Sequence, residues 1–543
     1  MSPPYHSGFA RPRLRRHCTF FTQRYKRSTI RRVPSTPARI AAWTALAITA
    51  ALLLSRLWFV THRALDLDEF EHAHAAWSVS RGLLPYRDFF EHHPPALYLL
   101  SAPIFADPAV ATSVPAAVRA LTLARAAIWV ITVLSVIVVY RIGATLHGLL
   151  SGALAAMLLA TSSQFLESML EFRPDVPAVA CLVVAIWCAT AAGEVEESRR
   201  WRVRLLAAGV AFGAALLFTQ KAIFAAPGLG LALLIRRRAL PAVVFAAGVM
   251  VPVAIAMWWF ARHDALGRMW YYTVIFNGRL NAERFSPLPR LVSHVIHQPA
   301  IYVLGASGIM VWLKPGTPGT TTVRLKPDTT ETTVTIPVVS GFSRTVVLFT
   351  ALSLIAGIFI IGKAYDQYYA LLLPLLAITG GALAADLFLR ATYRAWIPPA
   401  LMIGCAVLSL AISARAFTPI GPQLADIAFV TEHTLPADAY VGGSPGPALF
   451  RPHGWFYFFL TGDFATAAEY TDLLRSLRSG DVRPRLIVRD RYLEQHAPPA
   501  LLSYIDAHFH RARGDLYVRQ SEYGSVSLNS SEASERFDRP LTR

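Results

Sequence analysis

"AAWTALAITAALLLSRLWFVTHRALDLDEFEHAH", residues 41–74, changes character at its middle. Up to Val60 it is mostly apolar, and Arg56 is its one charged residue. That is the length a helix needs to cross a bilayer, about 20 residues. From Asp66 onward acids and histidines crowd together. Upstream the balance is reversed. No Asp or Glu precedes Asp66, while Arg11, Arg13, Arg15, Arg16, Arg24, Lys26, Arg27, Arg31, Arg32 and Arg39 all do. A basic arm ahead of an apolar helix holds the amino terminus on the cytoplasmic side. The acidic stretch is then delivered to the opposite face.

Composition extends this to the whole chain. Of 543 residues 54% are hydrophobic and only 16% charged, and the mean hydropathy is +0.41. These values, with recurring apolar runs, describe a polytopic helical membrane protein. The net charge of +18 does not point to nucleic acid, because no basic folded module with aromatic platforms is present. The run from Ala41 is too long for a cleaved signal peptide. An acid-free, Arg-rich start also fits a transit peptide or a start codon assigned upstream of the true one. Cys18, Cys181, Cys188 and Cys405 show no disulfide or metal spacing and read as small packing residues.

About eleven spans are expected, near 40–60, 120–142, 148–166, 175–192, 203–219, 221–236, 240–261, 298–313, 345–362, 368–389 and 397–416. With the amino terminus inside, Arg141, Arg199–Arg202, Arg236–Arg238, Lys314–Arg344, Arg390 and Arg394 fall on the inner side, as the positive-inside bias requires. Against that bias, Arg262, Arg268, Arg279, Arg284 and Arg290 fall in an outer loop; arginines there suit an anionic substrate. The expected division is a basic cytoplasmic tail (1–39), a transmembrane catalytic domain (40–418) with an inserted polar loop (314–344), and a small outer α/β domain (419–520). In that last domain "RPRLIVRD" and "GDLYVRQ" read as strands and "AAEYTDLLRSLRSG" as an amphipathic helix with a glycine stop. Residues 521–543 read as a disordered tail.

Charge beside hydrocarbon is expensive and marks function. The first outer loop concentrates Asp66, Asp68, Glu69, Glu71, Asp88 and Glu91. If "DEFEHAHAAWSVSRG" is helical, Asp68, Glu71 and His72 share a face. "YRDFFEHHPP" uses two prolines to stop one segment and start a helix, aiming His92 and His93 at the membrane surface. Histidines there can hold a phosphate or bind a metal. Glu71, His72 and His74 are the metal candidates, in "EHAH" beside "EHH", although the spacing is not HExxH. "EFRPD" supplies Arg173 and Asp175, either a phosphate contact or an ion pair fixing a helix end. Lys221 in "TQK" is a phosphate contact or an interface anchor. In "GKAYDQYY", Lys363, Asp366 and Tyr368 lie at one outer junction, where tyrosines also serve as anchors.

The order "DLDEFEHAHAAWSVSRGLLPYRDFFEHHPP", "EFRPDVPAVA", "FTQKAIFAAPGLGLAL" and "GKAYDQYYALLLPLLA" resembles the GT-C glycosyltransferases of the protein-mannosyltransferase-like and ArnT- and Rgt-like group, over roughly residues 40–415. The resemblance implies a helical GT-C bundle and inverting transfer from a polyprenyl-phosphate sugar to a glycan, lipid or protein acceptor. It implies a site on the outer face of the membrane, expected to be a bacterial plasma membrane. The family's loop acid falls on Asp68, with Glu69 beside it. A lysine often precedes the two prolines in that group; here His93 stands there. His-Tyr at the later junction is Gln367-Tyr368. No cofactor is fixed by the resemblance, and a divalent metal is the open candidate. The rival expectation is a transporter or flippase for a lipid-linked saccharide, whose charges would lie mid-span and in matching repeats.

Overall fold

In the computed structural model, residues 35–193, 200–235, 239–280, 286–313, 341–361, 365–390, 397–460 and 464–520 are described. The expected basic tail up to residue 34, most of the polar loop, Lys363 and the expected disordered tail lie outside the described residues. The apolar runs fold as helices, since backbone polar groups inside a bilayer must pair within their own segment. They are α1 (Thr36–His62), α3 (Val114–His147), α4 (Leu149–Ala160), α5 (Asp175–Gly193), α6 (Arg200–Phe218), α7 (Ala226–Leu234), α8 (Ala239–Arg262), α10 (Pro299–Leu313), α11 (Gly341–Ile360), α12 (Leu373–Leu389) and α13 (Ile397–Arg415). Between them lie α2 (Leu67–Ser80) and α9 (Leu288–His297).

All eleven expected segments contain a helix, but not every helix is long enough to span a membrane by itself. Among the described residues six helices are long and apolar enough to cross a membrane: α1, α3, α5, α6, α8 and α11. A seventh span is made if α9 and α10, which meet at 109°, are taken together. The shortfall has local causes. The expected span 148–166 stops at Ala160, because Ser162 accepts a hydrogen bond from Phe165 N and starts a new short helix. The expected span 221–236 opens as a 3₁₀ turn, Gln220–Ala225, and becomes α-helical only at α7, with a proline in its first turn. With these apolar helices the chain is an integral membrane protein.

Close packing depends on small residues. A side chain at Gly209 would meet Phe245 O at 2.1 Å, and one at Gly248 would meet Leu206 O at 2.3 Å, so α6 and α8 cross backbone to backbone. Ile255 and Trp258 on α8 remain exposed, as a lipid-facing surface requires.

After Pro419 the chain is α/β. Strands β1 (Tyr440–Gly442), β2 (Leu486–Val488), β3 (Phe509–Arg513) and β4 (Leu516–Arg519) form one sheet in the order β1-β2-β4-β3. Only the β1–β2 pair is parallel. The helix Ala467–Ser479 begins at a Thr466–Glu469 capping box and ends at left-handed Gly480 (φ 81°). This part is not set apart from the helices. Phe90 N donates to Phe456 O (2.9 Å), and buried Arg451 donates to Ala111 O, Val430 O and Thr434. The C-terminal segment therefore closes over the loop that follows α2.

Candidate active site

The site begins at the first turn of α2. Asp66 is its N-cap and accepts from Asp68 N (3.1 Å); the Glu69 carboxylate accepts from Asp66 N (2.9 Å). That reciprocal box fixes the direction in which consecutive acids point. Asp66 and Asp68 face outward from the cap, with side chains 40% and 30% exposed. Glu69 turns inward to Arg125, whose Nε and Nη2 lie 2.8 and 2.5 Å from its oxygens, and it also accepts from Phe172 N. Glu69 thus ties α2 to α3 and to the 171–175 turn.

Arg173 gathers the outward acids. Its Nη2 is 2.6 Å from Asp66 and 2.7 Å from Asp68, and its Nε is 2.7 Å from Glu171, which Arg63 also holds at 3.0 Å. Burial works against ionised Asp66, but the Arg173 charge and hydrogen bond outweigh it and hold that carboxyl below the usual range. For Glu171 burial wins over its arginines, helped by Asp66 and Glu69, and its carboxyl is pushed up to about 7. Beside this group Lys221 Nζ lies 3.1 Å from Asp175 and 4.3 Å from the centre of the Tyr368 ring. The opening of α5, the 3₁₀ turn before α7 and the Tyr368 junction therefore meet the first-loop acids at one end of the bundle.

The histidines divide. The His92 and His93 rings lie against each other at a tilt of 48°, with centres 3.9 Å apart, and both border Glu91; Phe464 from the C-terminal segment covers His92 at 4.9 Å. Burial, then the nearby Lys221 charge, brings the His93 ring down to about 4, so it is neutral near pH 7. Of the metal candidates read from sequence, Glu71 joins Glu91, His92 and His93 in a group whose ligand atoms lie within 4.8 Å of one another. His72 and His74 are not in that group. His72 Nδ1 meets the Tyr98 hydroxyl at 3.1 Å, and His74 is spent on Leu449 O (2.8 Å) and His453 (3.0 Å).

Two further expected positions sit apart. Asp88 accepts from Leu84 N (2.7 Å) and pairs with Arg87 at 2.8 Å, closing its own turn. Asp366, 62% exposed, faces Arg290 at 3.4 Å and His294 at 3.3 Å. It lines a cavity of about 740 Å³ with Gln164, Arg290, His294 and Gln298. Arg268 donates to Arg87 O, and Asn277 to His92 O. The arginine-bearing loop after α8 thus packs on the first-loop segment, on the same side as the acids. Arg125 and Glu171 are the participants that the sequence reading did not name, and Asp66 and Glu91 stood there only among the first-loop acids. Asp66 was visible as the cap of an Asp-x-x-Glu box, and Glu171 as the first letter of "EFRPD".

Two kinds of comparison bear on this arrangement. Residues 116–260 match the family described as dolichyl-phosphate-mannose-protein mannosyltransferase. In fold the chain is similar to ArnT from Cupriavidus metallidurans bound to undecaprenyl phosphate, with TM-score 0.56, 12% identity, and coverage of 89% of this chain and 98% of that one. It is also similar to the archaeal oligosaccharyltransferase AglB from Archaeoglobus fulgidus, in complex with an inhibitory peptide and a dolichol-phosphate, with TM-score 0.53, 11% identity, and coverage of 91% and 75%. No curated protein matches the chain. The resemblance read from the sequence therefore stands as a likeness: the family match over residues 116–260 and the two similar folds both point to GT-C, mannosyltransferase-like proteins.

Proposed function

We propose that the chain transfers a sugar from a polyprenyl-phosphate donor to an acceptor on the outer face of a bacterial plasma membrane, with inversion at the anomeric carbon. One observation carries the reading: part-exposed Asp68 and the cation Arg173 are 2.7 Å apart, with Lys221 at the same end of the bundle. A transferase of this kind needs a base for the incoming nucleophile and cations for the departing phosphate within one pocket. The lipid phosphates bound by ArnT and AglB support the same class of donor.

In this reading an acceptor hydroxyl or amine approaches Asp68 from the aqueous side. The carboxylate takes its proton as the acceptor atom bonds to the anomeric carbon, on the face opposite the phosphate. The bond from that carbon to the phosphate oxygen breaks, and the polyprenyl phosphate leaves with its new charge facing Arg173 and Lys221. Asp66 and Glu171 hold the Arg173 guanidinium in position, and Asp175 holds Lys221. Glu69 acts by holding the turn rather than by touching substrate. The test is a membrane assay with a panel of radiolabelled undecaprenyl-phosphate sugars. Wild type should move label into a glycan, lipid or protein fraction, and Asp68→Asn should not. Equal transfer by both, at equal folded amount, removes Asp68 from the chemistry.

A further inference from the structure

The loop 84–95 is held by two hydrogen bonds of its own and by two from other parts of the chain. Asp88 accepts from Leu84 N, Phe90 N donates to Phe456 O, and Asn277 donates to His92 O at 2.7 Å. Tyr86 sits in the left-handed region (φ 69°), fully buried, and its hydroxyl donates to His93 O at 2.7 Å. A tyrosine at positive φ is strained and persists only where its surroundings demand it. What the loop achieves is to press Glu91, His92 and His93 against Glu71 of α2.

Glu71 is 2% exposed and Glu91 fully buried. Among the described residues neither has a lysine or arginine within 4.0 Å; the only basic groups that close are His92 and His93. Glu91 Oε1 accepts from His92 N and His93 N and lies 3.0 Å from His93 Nδ1, while Glu91 Oε2 is buried, with the Tyr98 hydroxyl as the carboxylate's further polar neighbour. His92 Nδ1 is buried without a hydrogen-bond partner, 3.8 Å from Glu91 Oε1 and 4.0 Å from Glu71 Oε1. Two enclosed carboxylates and an orphaned ring nitrogen facing one another are costly unless a cation joins them. A tetrahedral ion with bonds of about 2.1 Å sets its ligands about 3.4 Å apart, close to the spacings found.

We propose that Glu71, Glu91, His92 and His93 form a binding site for a transition-metal dication of zinc type. Two imidazoles with two carboxylates suit such an ion, whereas magnesium and calcium favour all-oxygen shells. The Tyr86 clamp on His93 O and the His72 ring, 5.1 Å from the His93 ring, hold the ligands in place.

The experiment uses the full chain in detergent, stripped with EDTA, reloaded with Zn²⁺, desalted and analysed for bound metal. Wild type should retain about one zinc per chain. Glu71→Gln and His92→Gln should each retain at least about tenfold less, and excess Mg²⁺ should not displace the ion. His74→Gln should retain it in full. Zinc should raise the wild-type melting temperature and leave those of Glu71→Gln and His92→Gln unmoved. Cobalt substitution gives a readout on wild type alone, through visible d–d absorption. Wild type holding no more zinc than His92→Gln, zinc lost equally in His74→Gln, or no cobalt bands would overturn the proposal. None of these readings depends on sugar transfer.

Discussion

Asp68 and Glu69 are consecutive residues of the same type of chemistry with opposite surroundings. Glu69 is 1% exposed and both its oxygens are bonded, to Arg125, Phe172 N and Asp66 N. Asp68 is 30% exposed and is ion-paired with Arg173. One step along a helix is a 100° rotation, enough to send one acid into the bundle and leave the next at its mouth. An acid that must exchange a proton with substrate needs access, and one that is saturated by a buried guanidinium can only build. The two arginines divide accordingly, Arg125 into the wall and Arg173 into the pocket.

The sharpest way to break that contrast is to neutralise each acid in turn. Asp68→Asn should lower turnover by about 10²–10⁴ and leave the melting temperature unchanged. Glu69→Gln leaves Arg125 buried without its counter-charge and should cost about 3–5 kcal/mol of stability. Its residual activity should follow the folded fraction. Fluorescence-detected melting with transfer assays on the same preparations separates the two. If Glu69→Gln folds normally and is inactive, the assignment of the two acids is reversed.

A smaller effect sharpens the pocket's electrostatics. Glu171 has its carboxyl raised to about 7 by burial. Below that pH it is protonated and neutral, so Arg173 faces two acids; above it, the added negative charge competes with an anionic donor. The donor KM should therefore rise about three- to tenfold between about pH 6 and about pH 8. Glu171→Gln should flatten that rise. A donor KM that falls across this range, or a rise that persists in Glu171→Gln, places the titration elsewhere.

Much of the frame was legible because it rests on short-range rules. Apolar run length located every helix from α1 to α13 except the two polar ones between spans. Turn chemistry located β2, β4 and the Gly480 stop. The number of complete spans was not legible, since a serine cap at Ser162 and a 3₁₀ opening at Gln220 decide whether an apolar run is one helix or two. In the site, the acids and cations could be named from sequence but not paired. That Arg173 takes Asp66, Asp68 and Glu171 while Arg125 takes Glu69 follows from how α3 and α5 pack beside α2. The cover of His92 by Phe464 depends on a contact across some 370 residues of chain. Sequence spacing carries no trace of either.

Asp366 gives the smallest expected effect and marks the edge of the site. Its neighbour two residues on, Tyr368, presents its ring to Lys221, which puts the junction within reach of the pocket. Its own carboxylate points instead to Arg290 and His294 and lines the separate cavity with Gln164 and Gln298. The His294 hydrogen bond is the main reason its carboxyl lies below the usual range, with burial opposing. A pair this exposed is worth about 0–1 kcal/mol. Asp366→Asn should therefore change transfer by less than about threefold and leave the melting temperature in place. A loss approaching that of Asp68→Asn would mean that the cavity, and not only the Asp68–Arg173 mouth, receives a reacting group. The acceptor would then be sought on that side.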